Sequence, residues 1–320
     1  MKKVSILTPC YNSEKFLPIF FDSILMQEYE NIELIIVNDG SVDNTEQVIN
    51  KYRDIFKDKK FDFKYIKKEN GGQASAIARG IKEVTGDYLI WPDSDDFLLK
   101  DSIIKKANYL DTHPECAIVR SNGFIYNENN IDKPIGVISK INRITYLKDF
   151  INFIVPWVPG CFMINMRYFD SVNPDRIIPL SSCGQNIQMI LPIVYKYPCH
   201  YINENLFGYV IHPKSHSHIE KNFEMQMKTN EALYNCVKDT LELIPGNTDV
   251  FLQQSKNFFD KCKYQKAWEN KLKNEMTNVE KEMRKENSFL PELYIMKYFK
   301  YSVFSKILYR ILEKIMRGIR

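Results

Sequence analysis

Blocks of apolar residues alternate with amphipathic segments along the first hundred positions. Strand-length apolar runs at Val4–Thr8, Ile32–Asn38, Phe63–Lys67 and Tyr88–Trp91 are separated by segments at Phe16–Met26, Thr45–Phe56 and Gln73–Val84 whose apolar residues recur at helical spacing. That βαβαβαβ order predicts parallel strands joined by right-handed helical crossovers. From about Ala117 the apolar runs shorten, at Ala117–Arg120, Cys161–Asn165 and Tyr201–Ile211. They predict the second half of a mixed, mostly parallel sheet flanked by helices. Beyond Ile219 the period is helical, near Phe223–Leu243 and Thr248–Glu286, with Pro245-Gly246 between the two segments and Pro291 after them. The expected organisation is therefore an α/β domain over 1–219, a helical extension over 220–291 and a last amphipathic helix over 292–320.

Composition narrows the class. With 44% apolar and 13% aromatic residues the chain can bury a large core. Two long charge-free stretches, Phe150–Met166 and Ile177–Tyr195, contain Pro156, Pro159, Gly160, Pro179, Gly184 and Pro192, so no membrane span is expected of them. Met1-Lys2-Lys3 leads straight into a strand-length run, and no signal peptide is expected. Seven scattered cysteines without a C-x-x-C pair suggest neither a disulfide framework nor a zinc site, and the compartment reads as cytoplasmic. Between Glu292 and Arg320 stand seven basic and two acidic residues, a net of +5 against +4 for the whole chain. The basic character thus belongs to the tail, and no affinity for nucleic acid is implied.

In an open α/β sheet, ligands bind beyond the carboxyl ends of the strands. Polar clusters stand at four successive ends: Thr8-Pro9-Cys10-Tyr11-Asn12, Asn38-Asp39-Gly40-Ser41, Glu69-Asn70-Gly71-Gly72-Gln73 and Pro92-Asp93-Ser94-Asp95-Asp96. Each alone is compatible with a turn or a helix cap; together they predict one cleft. Asp93, Asp95 and Asp96 repel one another unless protons or a cation intervene, and Mg²⁺ or Mn²⁺ carrying substrate phosphates suits such a cluster. Asp39 can accept hydrogen bonds from a nucleobase or ribose, and Tyr11 offers a ring for stacking. Arg79 fits either a phosphate or a pair with Asp93.

These segments resemble the family 2 glycosyltransferases of the GT-A fold. The resemblance rests on Ser5-Ile6-Leu7-Thr8-Pro9-Cys10-Tyr11-Asn12, on Glu33 through Asp43, on Asn70-Gly71-Gly72 and on Gly86 through Asp96. It implies transfer of a sugar from a nucleoside diphosphate, usually UDP, with inversion, to a glycan or lipid-linked glycan acceptor. By match of motif, Pro9, Tyr11 and Asp39 would line the nucleoside site; Asn12, Asn70, Gly72, Arg79, Asp93 and Ser94 are the further candidates for binding the nucleotide sugar. Asp93 and Asp95 would form the D-x-D pair, with Asp95 as direct ligand of Mn²⁺ or Mg²⁺ and His216 or His218 completing its shell. Such enzymes carry a Glu-Asp pair after a glycine, whose Asp is the general base. Here that stretch reads Gly184-Gln185-Asn186, and an amide takes no proton at neutral pH, so either another carboxylate serves, or the acceptor is activated without a side-chain base, or the protein is catalytically impaired; Asn186 is a candidate for positioning the acceptor.

In the tail, Lys297, Lys300, Lys306, Arg310, Lys314 and Arg317 form a basic stripe beside a wide apolar face. Such a helix suits an anionic membrane surface, and with a lipid-linked acceptor it predicts a peripheral protein on the inner face of the cytoplasmic membrane, in bacterial polysaccharide synthesis. Packing on the α/β domain or dimerisation are its other readings. Two functional alternatives stand: a nucleotide-sugar-binding or membrane scaffold protein that has lost its base, and a nucleotidyltransferase. The second fits less well, because Thr8–Asn12 holds neither glycine nor lysine to cradle phosphates.

Overall fold

The computed structural model describes residues 1–181, 184–213 and 222–285. In chain order the elements are β1 (Val4–Cys10), α1 (Leu17–Leu25), β2 (Ile32–Asp39), α2 (Thr45–Asp58), β3 (Asp62–Lys68), α3 (Gln73–Gly80), β4 (Tyr88–Ile90), β5 (Phe97–Leu98), α4 (Ser102–Thr112) and β6 (Ile118–Asn127). They continue as β7 (Gly136–Val137), α5 (Leu147–Ile151), β8 (Phe162–Asn165), α6 (Met166–Val172), α7 (Gln185–Lys196), β9 (Cys199–Ile211), α8 (Phe223–Glu242), α9 (Asp249–Glu269) and α10 (Lys273–Lys285). The sheet runs β3-β2-β1-β4-β8-β6-β9-β5, with β7 added on β6. β3, β2, β1 and β4 are mutually parallel, β8 is antiparallel to both β4 and β6, and β9 returns parallel to β6. This is the mixed, helix-flanked sheet that the periodicity predicts.

Every residue of β1 and β2 is buried, which is why both read as unbroken apolar runs rather than alternating ones. β3 closes the sheet at an edge; its Lys64, Lys67 and Lys68 discourage pairing with another chain. The exception to the apolar interior is Glu33 on β2, whose carboxylate has no exposure. It accepts from Lys64 Nζ (2.7 Å), Ser5 Oγ (2.5 Å), Thr85 N–H (2.9 Å) and Thr85 Oγ1 (2.7 Å), so one buried anion ties β1, β2, β3 and the turn before β4 together.

Among the described residues the chain divides into two compact units, one within 1–219 together with 239–246, the other within 220–238 together with the chain from 247 on. In the second, α9 and α10 contact each other, and Tyr264, Ala267 and Trp268 of α9 and Met283 of α10 are buried. The helix expected over Thr248–Glu286 is two. Lys271 adopts φ +60 and donates its N–H to Trp268 O, ending α9 at a left-handed residue that is neither glycine nor asparagine, so the break carries no sequence signal. The stretch 292–320 lies outside the described residues. Among those described, no helix is long and apolar enough to cross a membrane.

The Glu33 cluster yields a prediction. Burial pushes this carboxyl up, but the hydrogen bonds from Lys64, Ser5 and Thr85 outweigh it and hold the pKa below the usual glutamate value. A depressed folded pKa stabilises the protein above the unfolded value and loses that contribution as pH falls through the folded one. Glu33→Gln should therefore cost about 2 kcal/mol at pH 7 by denaturant titration, a deficit that shrinks below about pH 4. An unchanged midpoint at pH 7 would show that the anion is not what ties the strands.

Candidate active site

The strand ends meet where the parallel half of the sheet predicts. A cleft of about 800 Å³ opens there, lined by Pro9, Tyr11 and Asn12 from the first end, Asp39 from the second, Asn70 and Gly72 before α3, and Asp93, Ser94 and Asp95 after β4. Asn186 at the start of α7 lines it too. Arg79 does not: its guanidinium pairs with Glu83 one helical turn on (2.6 Å), away from both the cleft and Asp93. His216 and His218 lie outside the described residues.

Short hydrogen bonds join the loops into one rim. Asn12 sits at φ +50, accepts from Val42 N–H (2.9 Å) through its side chain and donates its own N–H to Ser41 Oγ (3.0 Å). Ser13 bonds Thr45 Oγ1 through its N–H (2.8 Å) and Ser94 Oγ through its hydroxyl (2.9 Å). Asp39, nearly fully buried, receives Lys68 Nζ (2.6 Å) and Gly71 N–H (3.1 Å) on one oxygen and Gly72 N–H (2.7 Å) on the other. The clasp needs Gly40 at φ +75 and Gly72 at φ +83, and a Cβ on Gly40 would stand 2.7 Å from Asn70 N.

The acidic turn is tied to three different elements. Oxygens of Asp93, Asp95 and Asp96 lie within 4.8 Å of one another. Asp93 accepts from Gln73 Nε2 on α3. Asp95 Oδ2 meets His212 Nε2 at 2.9 Å. Asp96 accepts Val210 N–H of β9 at 2.8 Å, while its other oxygen is buried with no hydrogen-bond partner. Burial, then the Asp95 charge, pushes Asp93 up to about 8 despite Gln73, and burial with both neighbouring carboxylates raises Asp96 well above the usual range. Crowded carboxylate oxygens and an orphaned acceptor fit a hard divalent cation; Asp93, Asp95 and Asp96 are the residues that could hold it, with His212 beside Asp95.

His212 is the residue that the sequence reading missed. It follows the last residue of β9, is 8% exposed and packs at a tilt against Phe16 with ring centroids 4.6 Å apart. The signal was present: the apolar run Tyr201–Ile211 ends on it, and the strand-end rule applied to that run as well as to the first four would have selected it.

Asn186 follows Gly184, whose φ of +82 starts α7. Its Oδ1 accepts from Trp91 Nε1 (2.9 Å) and its Nδ2 donates to Trp157 O (3.0 Å). An indole N–H only donates and a carbonyl only accepts, so the amide orientation is settled by its partners. Among the described lining residues there is no lysine or arginine.

Comparison with known proteins agrees with this geometry. Residues 5–172, more than half of the chain, match the family described as Glycosyl transferase family 2. An uncharacterized glycosyltransferase of Rickettsia bellii is 29% identical over 83% of this chain and 38% of its own length. A poly-beta-1,6-N-acetyl-D-glucosamine synthase of Staphylococcus epidermidis is 32% identical over 45% of the chain and 32% of its own. The chain spans less than two thirds of the length of the curated relatives it matches. Among solved structures, S. aureus TarS 1-349 in complex with UDP-GlcNAc superposes with a TM-score of 0.64 at 18% identity, over 87% of this chain and 79% of that one. The mannosyltransferase PcManGT from Pyrobaculum calidifontis, in complex with GDP-Man and Mn²⁺, gives 0.56 at 12% identity, over 98% and 80%. The shared arrangement is the GT-A fold.

The clasp around Asp39 is testable without a ligand. Asp39→Asn removes the charge that Lys68 and both glycine amides share, and should lower stability by about 1–2 kcal/mol. The Gly71 and Gly72 amides should then exchange with solvent about tenfold faster in hydrogen-exchange mass spectrometry. Unchanged exchange in the 69–73 segment would mean that the loop is held by something else.

Proposed function

Because the chain belongs to glycosyl transferase family 2, we propose that its cleft moves a sugar from a UDP-linked donor, with Mn²⁺ or Mg²⁺, onto a glycan or lipid-linked glycan in bacterial polysaccharide synthesis. One observation carries the donor class. Asp93 and Asp95 line the cleft beside the buried, unpartnered oxygen of Asp96, and no lysine or arginine is among the described lining residues, which favours a diphosphate carried on a divalent cation. The UDP-GlcNAc held by TarS supports the uridine nucleotide, and the name of the Staphylococcus relative supports a polysaccharide product.

In this reading the nucleoside lies between Tyr11, half exposed, and the loops of Asp39 and Asn70-Gly71-Gly72, with Pro9 and Asn12 beneath it. Asp93 and Ser94 hold the donor; Asp95 and His212 hold the metal ion. The bound metal offsets the charge of the diphosphate and of the leaving UDP. Direct displacement with inversion is the proposed course, since the start of α7 offers amides and no carboxylate to act as covalent nucleophile. The proton of the acceptor hydroxyl does not pass to residue 186. That same amide favours a second reading, a protein that binds nucleotide sugars without turning them over.

Donor hydrolysis separates the two, because it needs no known acceptor. With Mn²⁺ and a panel of nucleotide sugars, one UDP-sugar should be hydrolysed, and EDTA or Asp95→Asn should reduce the rate at least about a hundredfold. Binding of UDP with no turnover of any donor would select the second reading; no metal-dependent nucleotide binding at all would sink both. The membrane placement is checked separately: deleting 292–320 should abolish partition onto vesicles containing anionic lipid, and unchanged partition would remove the tail from the proposal.

A further inference from the structure

The cleft has a second lining segment, Trp157–Gly160, which contributes Trp157, Val158 and Pro159. Two side chains from different helices hold it by its carbonyl groups. Asn186 of α7 donates to Trp157 O at 3.0 Å, while accepting from Trp91, two residues before Asp93. Lys106 of α4 donates to Gly160 O at 2.9 Å and to Ser102 Oγ at 3.1 Å.

Lys106 has no solvent exposure and no carboxylate bonded to it. Burial lowers its ammonium to about 8, which leaves it mostly charged at neutral pH. A buried ammonium satisfied only by a carbonyl and a hydroxyl is a costly way to fill a core position, and a methionine of similar length would be cheaper. What the lysine supplies is a charge-assisted bond to one particular carbonyl. The segment is also closed from behind, since a Cβ on Gly160 would lie 2.0 Å from the Phe207 ring. Trp157 packs against Phe150 with ring centroids 5.3 Å apart.

We infer that Lys106 and Asn186 are positioning residues that fix the 157–160 segment as an acceptor wall, and that the acceptor laid on it is an uncharged sugar ring. The inference rests on the glycosyltransferase reading above and extends it to the acceptor. An aspartate at 186 could not donate to Trp157 O and would set a carboxylate against it, so the amide is what this wall requires. The indole of Trp157, with Tyr209, Val158 and Pro159 in the same lining, offers apolar and aromatic faces to the C–H side of a pyranose. No lysine or arginine stands among the described lining residues to pair with the carboxylate of an anionic acceptor.

The test is saturation-transfer NMR on the full chain with UDP and Mg²⁺, using chitotriose, maltotriose, mannotriose and trigalacturonate as probes. A neutral trisaccharide should bind and trigalacturonate should not. Trp157→Ala should abolish the signal, and Asn186→Asp and Lys106→Met should each weaken the trisaccharide about tenfold, the equivalent of one lost hydrogen bond. The UDP affinity of the same variants, measured by calorimetry, should stay within about twofold. Retained UDP binding also certifies folding; if Lys106→Met fails to fold, the near-isosteric Asn186→Asp decides. Tighter binding of trigalacturonate, no binding of any neutral probe, or equal weakening of sugar and UDP in the variants would overturn the inference. Failure of wild type to bind UDP would instead overturn the donor reading. Transfer activity rising in Asn186→Asp would show a missing base rather than a strut.

Discussion

Three carboxyl groups in one turn cannot all be ionised at close range without a cation, and the architecture around the turn answers to that constraint. Gln73 of α3 faces Asp93, His212 after β9 faces Asp95, and the backbone of β9 itself holds Asp96. Ser94 meanwhile bonds Ser13 in the loop after β1. The turn is thus the junction at which the parallel half of the sheet meets the strand that returns beside β6. A helix cap would need one of these groups; four separate attachments from one four-residue turn make it the centre of the cleft.

The parallel half of the fold was legible in the sequence because burial on both faces leaves an unmistakable mark. β1 and β2 are mostly apolar up to their carboxyl ends, and the polar pair within them, Ser5 and Glu33, bond each other. The other half was harder. β6 runs to Asn127, but only Ala117–Arg120 reads as a strand, since Ser121-Asn122-Gly123 interrupts the apolar run where the register against β9 shifts. Lys271 breaks the long C-terminal helix through backbone conformation alone.

The site shows the same division. Residues adjoining the ends of parallel strands were located by rule, and Pro9, Tyr11, Asp39, Asn70, Asp93 and Asp95 do line one cavity. Arg79 is not among the lining residues and pairs instead with its helical neighbour Glu83. His212 was overlooked because it closes a strand of the mixed half, where the rule was not applied. Lys106 carried no motif at all; only tertiary packing brings a lysine on α4 under a carbonyl 54 residues further along the chain.

The loop at Asn70-Gly71-Gly72 is, by composition, among the most mobile kinds of chain, and a nucleotide site built on it would ordinarily face a large loss of freedom on binding. Here Asp39 and Lys68 hold it by hydrogen bonds made within the fold. The entropy of two adjacent glycines is surrendered during folding, so a nucleotide meets a rigid rim and keeps more of its contact energy as affinity.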